Sequence, residues 1–341
     1  MKPHLFSLRA YNVGFGDCFL LRFEYAEFRR HVLIDFGGLH APESLLLRIA
    51  HDIRRHSGGK LDAVVATHPH TDHINGFAGL PGSVIASCNP DVVVQPWTLD
   101  KMEFFRSINK TALGNLARMG RHYDYAWHGS ESGLQAVLPG VVTTVLGPPT
   151  LKQSGDISRQ RTRDPGEFWH LHKNNGVSQI PPHARWLARR LGTIAERESL
   201  ETFQLLDQAV NNSSVILLFE AGRRKLLFPG DAQIESWQHT LRQPALCNLL
   251  RGVDLYKVGH HGSLNATPKS LWRLFSKRSS EEHPDRLISV LSTREGKHGD
   301  PRLGTEVPRR KLVEELASQS RLISTATLGD RLYMDVELAL E

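Results

Sequence analysis

Three histidines and one aspartate stand close together in the stretch Thr67-His68-Pro69-His70-Thr71-Asp72-His73. Imidazole rings this close repel one another when they are protonated, and burying them without a partner costs free energy. A divalent cation removes both penalties, because it binds the lone pairs of neutral rings. A histidine-rich loop without a function is the alternative, but four side chains of ligand type rarely cluster at this spacing. The stretch therefore predicts a metal site to which all four side chains contribute.

The segment before this stretch predicts how the four side chains are divided. Leu61 to Thr67 is an apolar run bounded by polar residues, which is typical of a short buried strand. Alternate residues of an extended chain share a face, so His68 and His70 can reach the same cation. The chain then turns into Asp72 and His73, and this offset predicts a second cation a few ångströms from the first.

Three other polar residues stand where predicted strands end. Asp35 ends an apolar strand, Asp231 ends the second strand of a predicted hairpin, and His260 follows the run Leu255–Val258. We expect Asp35 to orient a metal-bound histidine, and an ordinary turn residue is the alternative. We expect Asp231 to bridge two cations, and a cap for the helical stretch that follows is the alternative. His260 is the ligand expected to complete the second site.

Length, charge and cysteine content restrict the class of protein. A chain of 341 residues with 40% hydrophobic and 23% charged residues is long enough for one large domain or two small ones. The net charge of +6 fits an anionic partner such as a nucleic acid, although many soluble enzymes are equally basic. Three scattered cysteines, no apolar N-terminal leader and no run of about 20 apolar residues predict a cytoplasmic protein that does not enter the membrane.

The remaining residues predict strands at both ends of the chain and a different middle. We expect strands over 5–13, 18–23, 84–87, 91–96, 286–291 and 322–336, and helices over 42–57, 102–120, 182–209 and 308–318. Residues 99–209 predict a largely helical or looped insertion. Its polar part carries Arg159, Arg161 and Arg163 and is either a surface loop or a lid that brings cations to the site.

Several motifs resemble, in the same order, those of the metallo-β-lactamase superfamily. They are the histidine stretch 67–73, Asn12-Val13-Gly14-Phe15-Gly16-Asp17-Cys18, Leu33-Ile34-Asp35-Phe36-Gly37, Asn212-x-Ser214, Gly230-Asp231, Lys257-Val258-x-His260-His261-Gly262-Ser263 and His298-Gly299-x-Pro301. The set is similar to one branch, the stand-alone relatives of the hydrolase domain of the DNA-uptake protein ComEC. It covers residues 1–98 and about 205–341. The resemblance implies one domain over 1–341, an α/β fold built as a four-layer αββα sandwich, with 99–209 inserted and the metals at the sheet edge.

One departure from the superfamily pattern bears on the chemistry. Many members place a further metal-binding histidine just before the strand that leads to the bridging aspartate, and here that place holds Asn211 and Asn212. The ComEC-like branch shows the same replacement. The resemblance therefore implies two divalent cations, Zn²⁺ or Mn²⁺, of which the second has the poorer ligand set. It also favours phosphodiesters over lactams and lactones as substrates.

These residues together predict a metal-dependent phosphodiesterase or nuclease. The expected ligands are His68, His70, Asp72, His73, Asp231 and His260. Asp72 is also expected to orient or deprotonate the attacking water, and His261 to contact the substrate or shuttle a proton. Phosphate oxygens are expected to contact Asn212, Ser263 and His298. Two alternatives stay open: a hydrolase of carbon esters, amides or thioesters, and a regulatory or binding module whose metal site is vestigial.

Overall fold

Two β-sheets lie face to face in the protein, and helices cover the outer face of each sheet. The computed structural model describes residues 1–101, 109–158, 164–169, 210–265, 267–301 and 305–341. A strand whose two faces are both covered must be apolar on both, and this explains the continuous buried pattern of the central strands.

The first sheet has strands in the order β13-β1-β2-β3-β4-β5-β6. They are β1 (Leu5–Tyr11), β2 (Cys18–Glu24), β3 (Arg29–Phe36), β4 (Ala63–Val65), β5 (Val92–Pro96), β6 (His122–Ala126) and β13 (Tyr333–Ala339). The pairs from β13 to β3 are antiparallel, and the pairs from β3 to β6 are parallel. The β1–β2 turn and the carboxyl ends of β3 and β4 therefore lie at the same edge of the sheet.

The second sheet has strands in the order β12-β11-β10-β9-β8-β7. They are β7 (Val141–Gly147), β8 (Ile216–Ala221), β9 (Arg224–Phe228), β10 (Leu255–Lys257), β11 (Ile288–Leu291) and β12 (Arg321–Ser324). β7, β8 and β9 pair antiparallel, whereas β9, β10, β11 and β12 pair parallel. The carboxyl ends of β9, β10 and β11 therefore also share one edge.

The described helices form the two outer layers and the connections between strands. They are α1 (Glu43–His56), α2 (Thr71–Ile74), α3 (Gly79–Ala86), α4 (Thr98–Lys101), α5 (Lys110–Met119), α6 (Leu134–Val137), α7 (Ile234–Leu241), α8 (Pro244–Arg251), α9 (Lys269–Leu274) and α10 (Arg310–Gln319). Apolar residues of α1, α3 and α5 pack on the first sheet. Apolar residues of α7 to α10 pack on the second. The order of layers is therefore helix, sheet, sheet, helix.

Phenylalanines from both sheets fill the space between them. The ring of Phe19 on β2 lies 6.2 Å from that of Phe228, and Phe23 lies 6.0 Å from Phe219, measured between centroids. The neighbouring Leu20 faces the helices instead, as the two-residue period of a strand requires. Each fully buried phenylalanine stabilises the fold by about 1.5–3 kcal/mol, so this inter-sheet core holds the two halves together.

The fold class predicted from the sequence is confirmed, since two sheets between helical layers are the αββα sandwich. The range 99–209 differs in part from the expectation, because β6 and β7 within it are strands of the two sheets. The strand predicted over 84–87 is wrong. These residues end α3 or follow it directly, and a short apolar run cannot distinguish a strand from a buried helix. The arginines at 159, 161 and 163 and the helix predicted over 182–209 lie outside the described residues.

The described part of the chain contains no helix that is long and apolar enough to cross a membrane. Cys18 and Cys88 are buried, Cys247 is half-buried, and none of the three forms a disulfide. Free thiols agree with the reduced state expected from their small and odd number.

A buried carboxylate ties α1 to the first sheet. Asp52, 3% exposed, accepts hydrogen bonds from Arg9 Nη1 at 2.9 Å and Tyr11 Oη at 3.0 Å, and it also pairs with Arg55. Burial alone would raise the pKa of Asp52, but the bonds from Tyr11 and Arg9 lower it below its ordinary value. Arg9 also pairs with Asp335, whose side chain is 42% exposed.

We expect Asp52→Asn to destabilise the protein by about 1–3 kcal/mol at pH 7, the cost of an imperfectly satisfied buried group. Because the pKa of Asp52 is lower when folded, its contribution is present above the unfolded pKa of about 3.9 and is lost as pH falls further. The difference in the free energy of unfolding between wild type and variant should therefore shrink below pH 4. Urea unfolding followed by circular dichroism measures this free energy. Asp335→Asn is the control and should cost less than about 1 kcal/mol, and equal losses in the two variants would contradict the role of Asp52.

Candidate metal centre

Loops from both sheets meet at one edge of the sandwich. His68 and His70 follow β4, Asp72 and His73 lie in α2, and Asp231 follows β9. A hydrogen bond from Val215 N to Thr67 O, 3.0 Å long, joins the β4 loop to the second sheet. The edge therefore brings together residues that are far apart in sequence.

A glycine allows the loop after β9 to approach the loop after β4. Gly230 has a φ of +56°, and a Cβ at this position would lie 2.9 Å from Thr67 Cβ and 3.0 Å from Ser214 Cβ. Any other residue would have both a strained backbone and a clash at this point. The Oγ of Ser214 accepts the backbone N–H of Asp231 at 3.1 Å, which fixes the start of the following loop.

The first donor group consists of His68, His73 and Asp231, all buried, with ligand atoms within 4.8 Å of one another. His73 Nε2 lies 3.0 Å from Asp231 Oδ2. His70, predicted to share a cation with His68, has its Nδ1 at 3.1 Å from His68 Nε2. Bonds of about 2.0–2.2 Å to one zinc ion place neighbouring ligand atoms roughly 3–4 Å apart, so these residues fit a cation.

The second donor group consists of Asp72, His73 and His261, again within 4.8 Å of one another. His261 Nε2 lies 3.1 Å from Asp72 Oδ2 and 3.7 Å from Asp231 Oδ2. Asp231 thus lies between the two donor groups. These distances suit the ligands of a divalent cation.

Asp35 contacts the other ring nitrogen of His73, and with Asp17 these two residues form a third buried donor group whose ligand atoms lie within 4.8 Å of one another. Asp35 Oδ2 lies 2.8 Å from His73 Nδ1, and the two Asp35 oxygens accept the backbone N–H and the hydroxyl of Thr67, both at 2.7 Å. A proton on Nδ1 leaves the lone pair of Nε2 directed toward Asp231, where a cation would bind. This is the geometry that an orienting carboxylate requires.

The structure places His261, rather than the expected His260, in the second donor group. Both residues have left-handed backbone conformations, with φ of 43° and 51°, and this tight turn points the second ring inward. His261 Nδ1 donates to Ser292 O at 3.0 Å, which leaves Nε2 for the site. His260 Nε2 is 3.9 Å from Asp231 Oδ2, and its side chain is 27% exposed. The assignment of His260 as a ligand stays a prediction, and the structure adds His261 as a candidate ligand.

The three residues expected to contact phosphate lie in different surroundings. Asn212 is fully buried, and its Nδ2 donates to Glu235 at 3.5 Å. Ser263 is buried and donates to Asn265 at 3.2 Å. His298 is exposed, and its ring stacks at 5.6 Å on Phe15. Of these three, His298 alone is open to a substrate.

Two buried charged residues at the site had no role in the sequence interpretation. Asp17, in the β1–β2 turn, lies 3.5 Å from His261 Nδ1 and 3.7 Å from His73 Nδ1. Lys257, at the end of β10, forms ion pairs with Asp17 and with Asp231, the latter at 3.4 Å. A lysine that ends an apolar strand, and an aspartate between Gly16 and a second strand, were the available signals.

Burial and charge act in opposite directions on the pKa values of the site. Burial alone would lower the pKa of His73, but Asp231 and two further carboxylates raise it well above its ordinary value. Burial alone would raise the pKa of Asp231, but His73 and His261 hold it well below its ordinary value. Burial and two neighbouring imidazoles lower the pKa of His68. The carboxylates thus favour positive charge in the site. A cation that binds His73 would displace a proton from its ring.

Residues 11–86, which include the histidine stretch, match the family model of the metallo-beta-lactamase superfamily. The match supports assignment to this superfamily, whose members are typically hydrolytic metalloenzymes. Comparison with curated protein sequences gives no match. Among solved structures, the chain is similar to the metallo-beta-lactamase fold protein YhfI from Bacillus subtilis, with 11% identity, coverage of 98% of this chain and 99% of that one, and a TM-score of 0.43. It is also similar to the short form of human tRNase Z, with 13% identity, coverage of 83% and 91%, and a TM-score of 0.35.

His73 belongs to each of the three donor groups and lies at the centre of the site, so its loss should remove more metal than the loss of an exposed histidine. We expect His73→Ala to lose most of the Zn²⁺ or Mn²⁺ that the wild-type protein takes up. His51→Ala, on the exposed face of α1, should keep all of it. Elemental analysis after dialysis against each metal gives the content per chain. Equal metal content in the two variants would contradict this location of the site.

Proposed function

We propose that the protein is a metal-dependent hydrolase of phosphodiesters, in the manner of a phosphodiesterase or nuclease. The first cation is assigned to His68, His70 and Asp231. The second is assigned to Asp72, His73 and His261, with Asp231 shared between the two. The observation that carries this proposal is that one oxygen of the Asp231 carboxylate faces ligand atoms of two donor groups, His73 Nε2 at 3.0 Å and His261 Nε2 at 3.7 Å.

Two adjacent divalent cations, when bound, supply a nucleophile at neutral pH and stabilise negative charge on a phosphoryl group. The other functions of the site come from the residues of the chain. Asp72 is the most accessible of the site carboxylates, with 17% of its side chain exposed, and its pKa is held low by His261 although burial opposes this. An ionised and accessible carboxylate is placed to orient water, whereas its lowered pKa makes it a weak base.

Two histidines near the site are accessible, His260 in part and His298 to a greater extent. Burial lowers the pKa of His260 to about 4, so its ring is neutral at pH 7 and can donate or accept a hydrogen bond. The rings of His298 and His261 both pack on Phe15, at 5.6 Å and 4.4 Å between centroids. We assign to His260 and His298 the contacts with phosphate that the sequence suggested for this part of the chain.

Phosphodiesters are preferred over carbon esters for two reasons. The asparagines at 211 and 212 stand where lactam and lactone hydrolases carry a histidine, as in the ComEC-like branch to which we assign the chain. The net charge of +6 also suits an anionic substrate. The mixed imidazole and carboxylate donors accept either Zn²⁺ or Mn²⁺. The free cysteines are those of a protein that acts in a reducing compartment, which we take to be the cytoplasm.

We expect the purified protein to hydrolyse bis(p-nitrophenyl) phosphate and a single-stranded oligonucleotide, to lose both activities to a chelator, and to regain them with Zn²⁺ or Mn²⁺. His68→Ala should lower kcat by more than about 100-fold, because loss of a ligand exceeds the cost of losing an outer partner. His51→Ala is the matched control. Turnover of acyl esters alone would favour the carbon-ester alternative. A fully metallated protein without any turnover would favour a regulatory or binding module.

A further inference from the structure

We propose that Lys257 is a positioning residue that determines which oxygen of Asp231 faces the metal centre. This inference rests on the metal centre of the proposed function. Lys257 is 1% exposed, at the end of the central strand β10. A buried ammonium group is destabilising unless it is paired and hydrogen-bonded, so its partners define its role.

The partners of Lys257 surround one oxygen of Asp231. Its Nζ donates to Gly230 O at 3.0 Å, pairs with Asp17, and lies 3.4 Å from Asp231 Oδ1. The backbone N–H of His260 donates to the same Oδ1 at 3.1 Å. Two donors of the chain therefore engage Oδ1.

The other oxygen of Asp231 faces the histidines. Oδ2 lies 3.0 Å from His73 Nε2 and 3.7 Å from His261 Nε2. With Oδ1 engaged by Lys257, a single oxygen is presented to both donor groups. Without the ammonium group, Oδ1 keeps the His260 N–H as its one donor of these two. The carboxylate can then rotate more easily, which would weaken its binding of a cation through Oδ2.

A purely structural role is the competing explanation, in which Lys257 only balances the charge of Asp17. The double variant Asp17→Asn with Lys257→Met separates the two roles, because it leaves neither charge unpaired. We expect this variant to keep a cooperative melting transition and to bind Zn²⁺ roughly 10–100-fold more weakly than wild type. Competition with a chromophoric chelator measures the affinity without requiring any catalytic activity.

Wild-type Zn²⁺ affinity in a folded double variant would overturn the positioning role. If the double variant does not fold, the Zn²⁺ affinity of the single variant Asp17→Asn tests the positioning role, because this variant keeps the Lys257 ammonium group beside Asp231. Its affinity should stay within a few-fold of wild type, and a loss as large as that of Lys257→Met would overturn the inference. A wild-type protein that binds no metal would instead refute the proposed function.

We infer, from a separate observation, that a cleft beside the metal centre binds the phosphate backbone of a single-stranded nucleic acid. The cleft has a volume of about 510 Å³ and its lining includes Arg48, Arg294 and Arg331. We call it the arginine cleft. This deepens the proposed function, because it implies a substrate with a second phosphate beyond the one that is cleaved.

The arginine cleft lies at the same sheet edge as the metal centre. Gly14, in the β1–β2 turn, lines it directly before Phe15, whose ring packs at 4.4 Å on His261. Thr293 lines it directly after Ser292, whose carbonyl accepts from His261 at 3.0 Å. A strand that passes through the centre can therefore continue into the cleft.

The charges of the arginine cleft have few partners in the protein. In the ranges that the structure describes, the guanidinium groups of Arg48 and Arg294 make no hydrogen bond or ion pair. Asp330 is the one acidic side chain among the lining residues. Three guanidinium groups around one cleft repel one another, and a polyanion with regularly spaced phosphates relieves that repulsion.

Fluorescence anisotropy of a labelled 12-nucleotide single strand on chelator-treated protein tests the cleft without hydrolysis. We expect Arg48→Gln with Arg294→Gln to bind about tenfold more weakly and to lower the slope of log K against log salt by about 1.4. Arg29→Gln is the matched control. Arg29 is exposed at the start of β3, whereas the metal centre lies at the carboxyl end of that strand.

Unchanged affinity and salt slope in the double variant would overturn the cleft as a nucleic-acid site. Competition by inorganic phosphate as effective as competition by unlabelled oligonucleotide would also overturn it, because it would indicate a site for a single phosphate. The protein could bind the oligonucleotide through both arginines and yet have no phosphodiesterase activity. That result would support the arginine cleft as a nucleic-acid site and refute the proposed function.

Discussion

The interaction on which the site depends is the repulsion among carboxylates buried at one edge of the sandwich. The four are Asp17, Asp35, Asp72 and Asp231, of which all but Asp72 are at most 1% exposed. An uncompensated buried charge costs several kcal/mol even after the protein relaxes. Every local feature of the site supplies compensation, from the Thr67 donors on Asp35 to the His260 N–H on Asp231. The loops are therefore arranged around the carboxylates as much as around the histidines.

The sandwich makes this concentration of charge possible because its parallel strands end together. β3 and β4 in one sheet, and β9 and β10 in the other, all deliver a polar residue at their carboxyl ends. The apolar strands behind them contribute the stability that the polar edge lacks, chiefly through the phenylalanine core between the sheets. A function placed at that edge is therefore supported by both sheets.

The spacing of ligand residues along the sequence made part of the candidate site predictable. The sequence from 67 to 73 has its ligands within one strand end and one helical turn, so their proximity follows from backbone geometry alone. The choice between His260 and His261 did not follow, because it depends on two consecutive left-handed residues that no apolar pattern reveals. The contact between Lys257 and Asp17 was not predicted for another reason. These residues are 240 positions apart, and only the packing of one sheet on the other brings them together. Strand β6 was missed because its sequence His-Tyr-Asp-Tyr-Ala is largely polar. The run Val141–Gly147 is rich in β-branched residues, as a strand requires, but it lies in the range interpreted as an insertion, so β7 was missed as well.

The balance of charge connects the number of cations with the class of substrate. In the described residues, Lys257 is the one lysine or arginine that pairs with the four carboxylates, so three negative charges remain for cations to compensate when the histidines are neutral ligands. One divalent cation leaves the site negative, and it would repel a phosphodiester. Two cations make the site positive, and a phosphodiester then gains an attraction that a neutral ester lacks.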